Sequence, residues 1–550
     1  MLSCALSMVF GMRVEVHVDP SRAATNVLER NGSAQSPFFH AEEARNSLRA
    51  LERPLGEHSL VWIHGTARLT RPLQLTAEDS CTHWRGWPDD HAVISGGRVL
   101  GGIWVPPVLA GAPWTLQLAD ATPFNQLWVG GSRAVRAREP EVGSYYLMQR
   151  QLPAPQPAGH GFVALAEDVA AVSRSAALAK GEVEAVVYDS WMASRRQVKS
   201  VSNATVLLTA PARIEIEPHA NSGSRYYLEN FAEACDSPGE WFLDRVAGWL
   251  LYQPRPGEDP RSLVFEAPVL SGDLLQIEAS DVTLSDLSVE LVDWSIGGGA
   301  LPVNTSSGTV QAASFLGEAL VHVRNASGVT LRNVTVRRGG AWGVWLDDGA
   351  HHNRVTGCAV VDLGAGGVRL GRGRPLPEPP ASQTAGSNMV DNSLVAWGGQ
   401  VFHEGNGILL QHSSHNTLDS NEVAYFSHVG ISTGWTWDYT CPTCCDAYEQ
   451  PSCVGAVNNT LRGNHVHHLG NGDLSDLAGL YFLGVSNGTT ASDNVVHDVY
   501  PFFTYGHGRV RPHKHTRSHL HPSHTPTLQS DRFPLLVWCT HLLVSCRTVH

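Results

Sequence analysis

The sequence predicts an all-β chain wound into a right-handed parallel β-helix with an N-terminal α/β capping region, and three observations carry that expectation. From Asp281 onward, short segments of one character return, among them GVTLRNVTVRRGG, HNRVTGCAVVDLG, HNTLDSNEVAYFS and NNTLRGNHVHHLG. Their spacing is regular: Leu331 to Val355 is 24 residues, Val390 to Leu418 is 28 and Leu461 to Ala491 is 30. Such periods belong to stacked supersecondary units. Each strand is also too short and too polar to bury a face alone, so each must stack on the next. The helical LxxL segments of a leucine-rich repeat and the four-strand blades of a propeller are missing from the pattern. Asn333, Asn392, Asn421, Asn464 and Asn494 take matching positions after the first strand of their units, where side-chain amides can stack as an internal ladder. Asn and Gly at fixed offsets are expected to supply the turns, since both tolerate a left-handed backbone.

Composition narrows the function classes. The chain has 550 residues, 42% hydrophobic and 17% charged, with a formal net charge of −13. That excludes a wholly disordered chain. The negative balance disfavours nucleic acid and anionic membranes as partners, and no run approaches the roughly 18 apolar residues of a membrane span. A monomer is expected. Residues 1–13 are a candidate leader without a basic n-region, so a signal peptide is not clear. Asn-x-Ser/Thr sequons at Asn31, Asn203, Asn304, Asn325, Asn333, Asn458 and Asn487 are compatible with an extracellular or secretory setting. Cys441, Cys444, Cys445 and Cys453 sit in CPTCCDAYEQPSC, a spacing open to a disulfide-stapled loop or a four-thiolate zinc site, the disulfide reading being favoured.

Along the chain, residues 14–150 read as a cap and first rungs. Ser36 is the expected N-cap of a helix, with Pro37 at its first position and Ala41, Ala44, Leu48 and Leu51 on its apolar face. Residues 151–270 read as a β-rich inserted region, 271–508 as the parallel rungs, and 509–550 as a basic, His-rich irregular tail. The tail histidines, His513, His515, His519, His521 and His524, are open to metal binding, with a disordered tail the favoured reading.

YYLENFAEACDSPGEWFLDRVAGWLLYQP, HVGISTGWTWDY and GNGDLSDLAGLYFLG are the most specific stretches. On these and on the opening SPFFHAEEARNSLRAL, the chain from about residue 14 to 508 resembles the carbohydrate-active right-handed parallel β-helix proteins with a pectin-lyase-like fold, closest to the glycoside hydrolase family 141-like group. The resemblance implies action on a plant- or algal-type polysaccharide or its side-chain sugars, and α-L-fucosidase and xylanase activities occur in the group. It also implies further rungs after NVVHDV, which this chain replaces with the tail near Gly508. A catalytically inactive carbohydrate-binding β-helix is therefore the alternative.

Glycoside hydrolysis needs two carboxylates across the scissile bond. Stacked rungs place residues one period apart about 4.8 Å from each other, which can bring outward acids within reach. Asp476, with Asp473 beside it in GDLSDLAGLY, and Asp438 in GWTWDY are the expected groove carboxylates, and Glu404 in VFHEGNGILL is a further candidate. Trp435, Trp437 and Tyr481 are the expected sugar platforms, with His428, His403, Trp345 and Asp348 as further binding residues. The bland reading competes at each: the aspartates cap turns, one tryptophan is core, and the histidines satisfy rung hydrogen bonds. No dinucleotide, P-loop, zincin or nucleophile-elbow motif is present. No cofactor is expected, calcium being the one ion that scattered acids could hold.

Overall fold

The computed structural model describes residues 14–23, 26–51, 57–120, 122–152, 159–188, 191–212, 225–294, 311–373, 383–434, 456–483, 486, 488–502, 535–538 and 543–547. Asp438, Trp435, Trp437, the cysteine cluster and the tail histidines lie outside these residues.

The chain is a three-sided parallel β-helix. Each rung contributes two strands to a 19-stranded sheet and one to a 9-stranded sheet. One rung runs through Thr417–Asp419, Glu422–Phe426 and Ile431–Gly434, and the next through Thr460–Arg462, His465–Leu469 and Leu480–Leu483. The repeats read from sequence are direct neighbours: Leu331 pairs with Val355, Val390 with Leu418 and Leu461 with Ala491, all in parallel register. These side chains point inward into one continuous core. Burying each such Leu or Val contributes about 1.5–3 kcal/mol.

Two asparagine ladders run up the solenoid. In one, the amide oxygens of Asn421, Asn464 and Asn494 accept the backbone N–H of Ser393, Asn421 and Asn464 at 3.1, 3.1 and 2.9 Å. Their amide groups donate to the carbonyls of Val390, Leu418 and Leu461. The second, not anticipated, stacks Asn353, Asn388, Asn416 and Asn459 in the same way. Asn333 and Asn392 are not ladder members. They sit one position earlier, exposed, at φ 52° and 49°, where other rungs have Gly357, Ser420, Gly463 and Asp493.

Glycine supplies bends as expected at Gly357 and Gly463, at φ 60° and 64°, and a third vertical stack gives it a second role. Gly343 lies near the start of its strand, and Gly367, Gly407, Gly430 and Gly479 immediately precede the next four strands of the 9-stranded sheet. A Cβ on each would come within 2.1–2.4 Å of Val360, Val395, Val423, Val466 and Val496 respectively. They are required by close approach, because the valine wall of the opposite sheet leaves no room for a methyl group.

The capping helix is Ala41–Arg49, starting later than Ser36 implied. Phe38 bridges to Val18 as an extra extended residue, so Pro37 and Phe38 belong to the strand approach. Glu43 then caps the helix by accepting the N–H groups of Phe39 and His40. The interruption of the solenoid begins earlier than residue 151. Antiparallel pairing starts at Gly97–Val99 and returns through Phe265–Pro268, enclosing a mixed five-stranded sheet and an antiparallel eight-stranded sheet. The tail is not wholly irregular, since Leu535–Trp538 and Leu543–Arg547 pair in parallel with the last rung.

The inserted region is braced by a buried four-membered ion network. Arg136 reaches Glu229 at 2.9 Å and Glu184 at 3.2 Å, and Arg195 bonds the same two carboxylates. Removing one member would leave a buried charge unpaired. The region is tied to the rungs by Trp128 and Arg133, which donate to Asp362 at 2.7 and 2.6 Å.

Candidate active site

The stretch that enters the 9-stranded sheet faces the inserted region. Glu404, Ser427 and Asp476 each lie three residues before a ladder glycine, Gly407, Gly430 and Gly479. With rungs about 4.8 Å apart, the backbones of Glu404 and Asp476 are roughly 10 Å apart along the axis, with Ser427 between them.

Asp473 joins the two bodies. Its Oδ1 accepts the Tyr145 hydroxyl of the inserted region at 2.7 Å, and its Oδ2 accepts the Ser427 hydroxyl at 2.8 Å. Arg225 of the inserted region donates to the carbonyls of Asp473 and Gly472, and its guanidinium lies 3.6 Å from the Phe502 ring centre. Burial, and then the Asp473 charge, hold the Tyr145 hydroxyl well above the ordinary tyrosine range. Asp476 follows at φ 52°, and Tyr481 donates to it at 3.3 Å. Burial raises the Asp476 carboxyl above the usual carboxylate range, and the Tyr481 bond pulls it only partly back.

His403 packs against the inserted region, its ring 5.4 Å from Tyr188 and its Nε2 3.4 Å from the Tyr227 hydroxyl. Burial pushes it down to about 4, so it is neutral near pH 7. His428 is buried too, bonds Asn406 through Nδ1 at 2.9 Å, and is likewise pushed down to about 4. Glu404 is 1% exposed. Burial pushes its carboxyl up to about 7, with nearby peptide N–H groups and the Arg195 and Arg196 charges opposing that rise only in part.

These shifts act on stability in opposite directions. The two histidines favour the fold while neutral, a contribution present above their unfolded value of 6.5 and lost as pH falls toward 4. Glu404 favours the fold while protonated, a contribution present below 4.5 and lost as pH rises through about 7. Glu404→Gln removes only the second. Its stability relative to wild type should therefore rise by about 3 kcal/mol between about pH 4.5 and pH 8, read by urea unfolding at both. A pH-independent difference would contradict the burial of an ionisable group at 404.

The same face gathers buried polar atoms without a hydrogen-bond partner among the described residues. They are both Glu404 oxygens, Asn406 Nδ2, both amide atoms of Gln411, His428 Nε2, Ser432 Oγ and Ser475 Oγ. Buried donors and acceptors are costly to leave unmade. They fall on three consecutive rungs, at side chains enclosed by the rest of the protein.

The structure thus brings His403, Glu404, His428, Asp473, Asp476 and Tyr481 to one side of the solenoid, against the inserted region. Two expected residues are elsewhere. Trp345 is 1% exposed. Its indole is stacked on His322 at 4.4 Å, covered by the Arg369 and Arg372 guanidiniums at 4.3 and 4.8 Å, and bonded to the Gly371 carbonyl. With His322, Arg369 and Arg372 packed on its ring and its N–H bonded, Trp345 is not open to a ligand, which corrects its reading as a further sugar-binding residue. Asp348 lies 3.6 Å from Arg372 in the same packing, beside Asp347, which is bonded to His322 and Arg372. Tyr145, Arg225, Tyr188, Tyr227, Ser427 and Asn406 were not singled out by sequence. Among the described residues, no three His, Cys, Asp or Glu side chains are arranged to hold a metal ion, and no helix is long and apolar enough to cross a membrane.

Comparison with known proteins agrees with this architecture. Residues 319–511 match the right-handed β-helix region model, and residues 101–255 match the GH141 insertion domain model. The chain is a right-handed parallel β-helix carrying a GH141-like insertion domain, and its fold is similar to that of a glycoside-hydrolase-type β-helix protein. Among solved structures, one described as a glycoside hydrolase superposes with a TM-score of 0.74 at 20% identity, covering 90% of this chain and 89% of that one. A complex of XylC with xylose gives a TM-score of 0.43 at 10% identity, covering 89% of this chain and 66% of that chain. A mutant of the periplasmic alginate epimerase AlgG gives 0.25 at 14% identity, covering 39% of this chain and 41% of that chain. No curated protein matches the sequence.

Proposed function

We propose that the chain hydrolyses a glycosidic bond of a polysaccharide or of its side-chain sugars at the seam between the inserted region and the rungs around residues 404–481. Asp476 is the general acid, its carboxyl raised above the usual carboxylate range by burial. Asp473 is the partner carboxylate, held in place by the hydroxyls of Tyr145 and Ser427. Asp438, Trp435 and Trp437 follow directly on the strand Ile431–Gly434 that borders this seam, and belong to the same proposal as a further acid and two sugar platforms. The observation that carries the reading is the placing of Glu404, Asp473 and Asp476 within three consecutive rungs beside a cluster of unpartnered polar side chains, inside a fold that matches a solved glycoside hydrolase over most of both chains. Two acids in differing surroundings are the general requirement of this chemistry.

An extracellular or secretory setting is part of the proposal. Cys81 is disulfide-bonded, and the sequon asparagines among the described residues, Asn31, Asn203, Asn325, Asn333 and Asn458, are all exposed.

The test is a turnover screen on aryl fucosides and xylan with the purified chain and with Asp476→Asn. Release of sugar by wild type and its loss in the variant support the proposal. Binding of polysaccharide without turnover by either protein would favour the inactive carbohydrate-binding reading instead.

A further inference from the structure

At the other end of the solenoid, the turns after the first strands enclose a cavity of about 350 Å³, lined by His17, Asp19, Arg22, His64, Trp87 and Asp90 among others. The strand Val14–Val18 stacks on Ser59–Ile63, and that on Thr82–Gly86, so Asp19, His64 and Trp87 follow three stacked strands at one level. From Thr82–Gly86, six successive parallel pairings lead to Thr460–Arg462, about 29 Å along the axis. The cavity is therefore separate from the seam.

Its polar groups are ordered by one hydrogen-bond chain. Asp90 Oδ2 lies 3.1 Å from His64 Nδ1, and His64 Nε2 lies 3.0 Å from His17 Nδ1. A carboxylate can only accept, so His64 Nδ1 carries the proton and donates to it. His64 Nε2 is then a lone pair that accepts from His17 Nδ1–H, which leaves Nε2 of His17 as an acceptor. Burial, and then the neighbouring His64, hold His17 below the ordinary histidine range, consistent with a neutral ring. Asp19 uses Oδ1 for the N–H groups of Ser21 and Arg22 and for the Ser21 hydroxyl, at 3.1, 3.3 and 2.6 Å. Its Oδ2 is left as a second acceptor, and the Arg22 guanidinium is a donor on the same wall. His17, Asp19 and His64 are each at most 9% exposed.

We infer that this cavity is a second binding site, built for a neutral, hydroxyl-bearing ring of monosaccharide size. The volume is at the small end of ligand pockets. Two carboxylates disfavour an anion, and the guanidinium disfavours a cation. The residues carrying two acceptors and one donor line the cavity together with Trp87, whose ring packs on His64 at 4.7 Å and edge-to-face on Trp62 at 5.1 Å. A pair of adjacent sugar hydroxyls donates to His17 Nε2 and Asp19 Oδ2, and the Arg22 guanidinium donates to an oxygen of the same ring. This inference does not depend on hydrolysis at the seam.

The experiment follows the imidazole nitrogen resonances of the full chain while D-xylose, L-fucose, D-galacturonate and zinc ion are added separately. The neutral sugars are expected to shift the His17 and His64 signals. His17→Leu should weaken that binding about tenfold through the lost hydrogen bond. Asp90→Leu, which removes the acceptor that fixes the His64 tautomer, should weaken it too. Asp476→Asn should leave it unchanged, which separates this site from the seam. Three results would overturn the inference: signals that move only with galacturonate or zinc, signals that move with none of the four, or sugar binding unaffected in both folded variants.

Discussion

Asp476→Asn is expected to lower kcat on the susceptible glycoside by roughly 10²–10⁴-fold, the usual contribution of a positioned general acid, with little change in KM or in the unfolding midpoint. Asparagine keeps the side-chain shape and still offers an oxygen to the Tyr481 hydroxyl, which donates to Asp476 at 3.3 Å. It has no proton to deliver to a departing sugar oxygen. The pH profile gives a second readout. Burial raises the Asp476 carboxyl, so the wild-type rate should fall on the alkaline side as that proton is lost, and the variant's residual rate should lack this limb. Asp473→Asn is a different experiment. Both Asp473 oxygens accept hydroxyl hydrogen bonds, so one new N–H would face a donor and stability would fall together with rate. Unchanged turnover in Asp476→Asn would remove this residue from the chemistry.

The second large effect concerns the scaffold. Asn421→Ala should destabilise the chain by about 3–5 kcal/mol, from two orphaned buried groups and the space left behind. The Ser393 N–H would lose its acceptor at 3.1 Å and the Val390 carbonyl its donor at 2.9 Å. The Asn464 amide oxygen would also lose one of its donors. Asn392 is the control, because it looks equivalent in sequence and lies in the rung next to Asn421. It is exposed with φ 49°, so Asn392→Gly should be close to neutral. Equal losses in the two variants, measured by chemical unfolding, would contradict the assignment of Asn421 to the ladder and Asn392 to the bend.

That contrast also explains what the sequence could convey. The stacking of Leu331 on Val355 and of Leu461 on Ala491 was legible because inward apolar residues must recur once per rung in a solenoid. The asparagines were only partly legible. A ladder residue and a left-handed bend residue are one position apart and of the same type, and a shift of one residue turns the side chain from the core to solvent. The glycine column had a readable spacing but an unreadable cause, since a Cβ at position 430 would come within 2.4 Å of Val466 only because two sheets have closed on each other.

The site divides in the same way. Glu404, His428 and Asp476 could be singled out because each lies in a rung segment of recognisable type. Tyr145 could not, because it meets Asp473 across 328 residues of chain and only after the inserted region has folded back onto the rungs. Trp345 misled for the opposite reason. Its position on the outer row of the 9-stranded sheet, in line with Ser432 and Tyr481 of later rungs, is that of an accessible platform. Arg369 and Arg372 cover it with their guanidiniums, and nothing local in GVWLDDG announces them.

The outer face of the 19-stranded sheet offers the clearest rival location for a sugar. Trp397 and Tyr425 are stacked there with 3° between their planes at 5.2 Å, and Trp397 is 46% exposed. The most direct test is therefore a crystal structure of Asp476→Asn with a bound oligosaccharide cleaved by the wild type. The account predicts a sugar ring at the seam, within hydrogen-bond reach of position 476 and of Asp473. An oligosaccharide lying only along Trp397 and Tyr425, with the seam closed by protein, would contradict it.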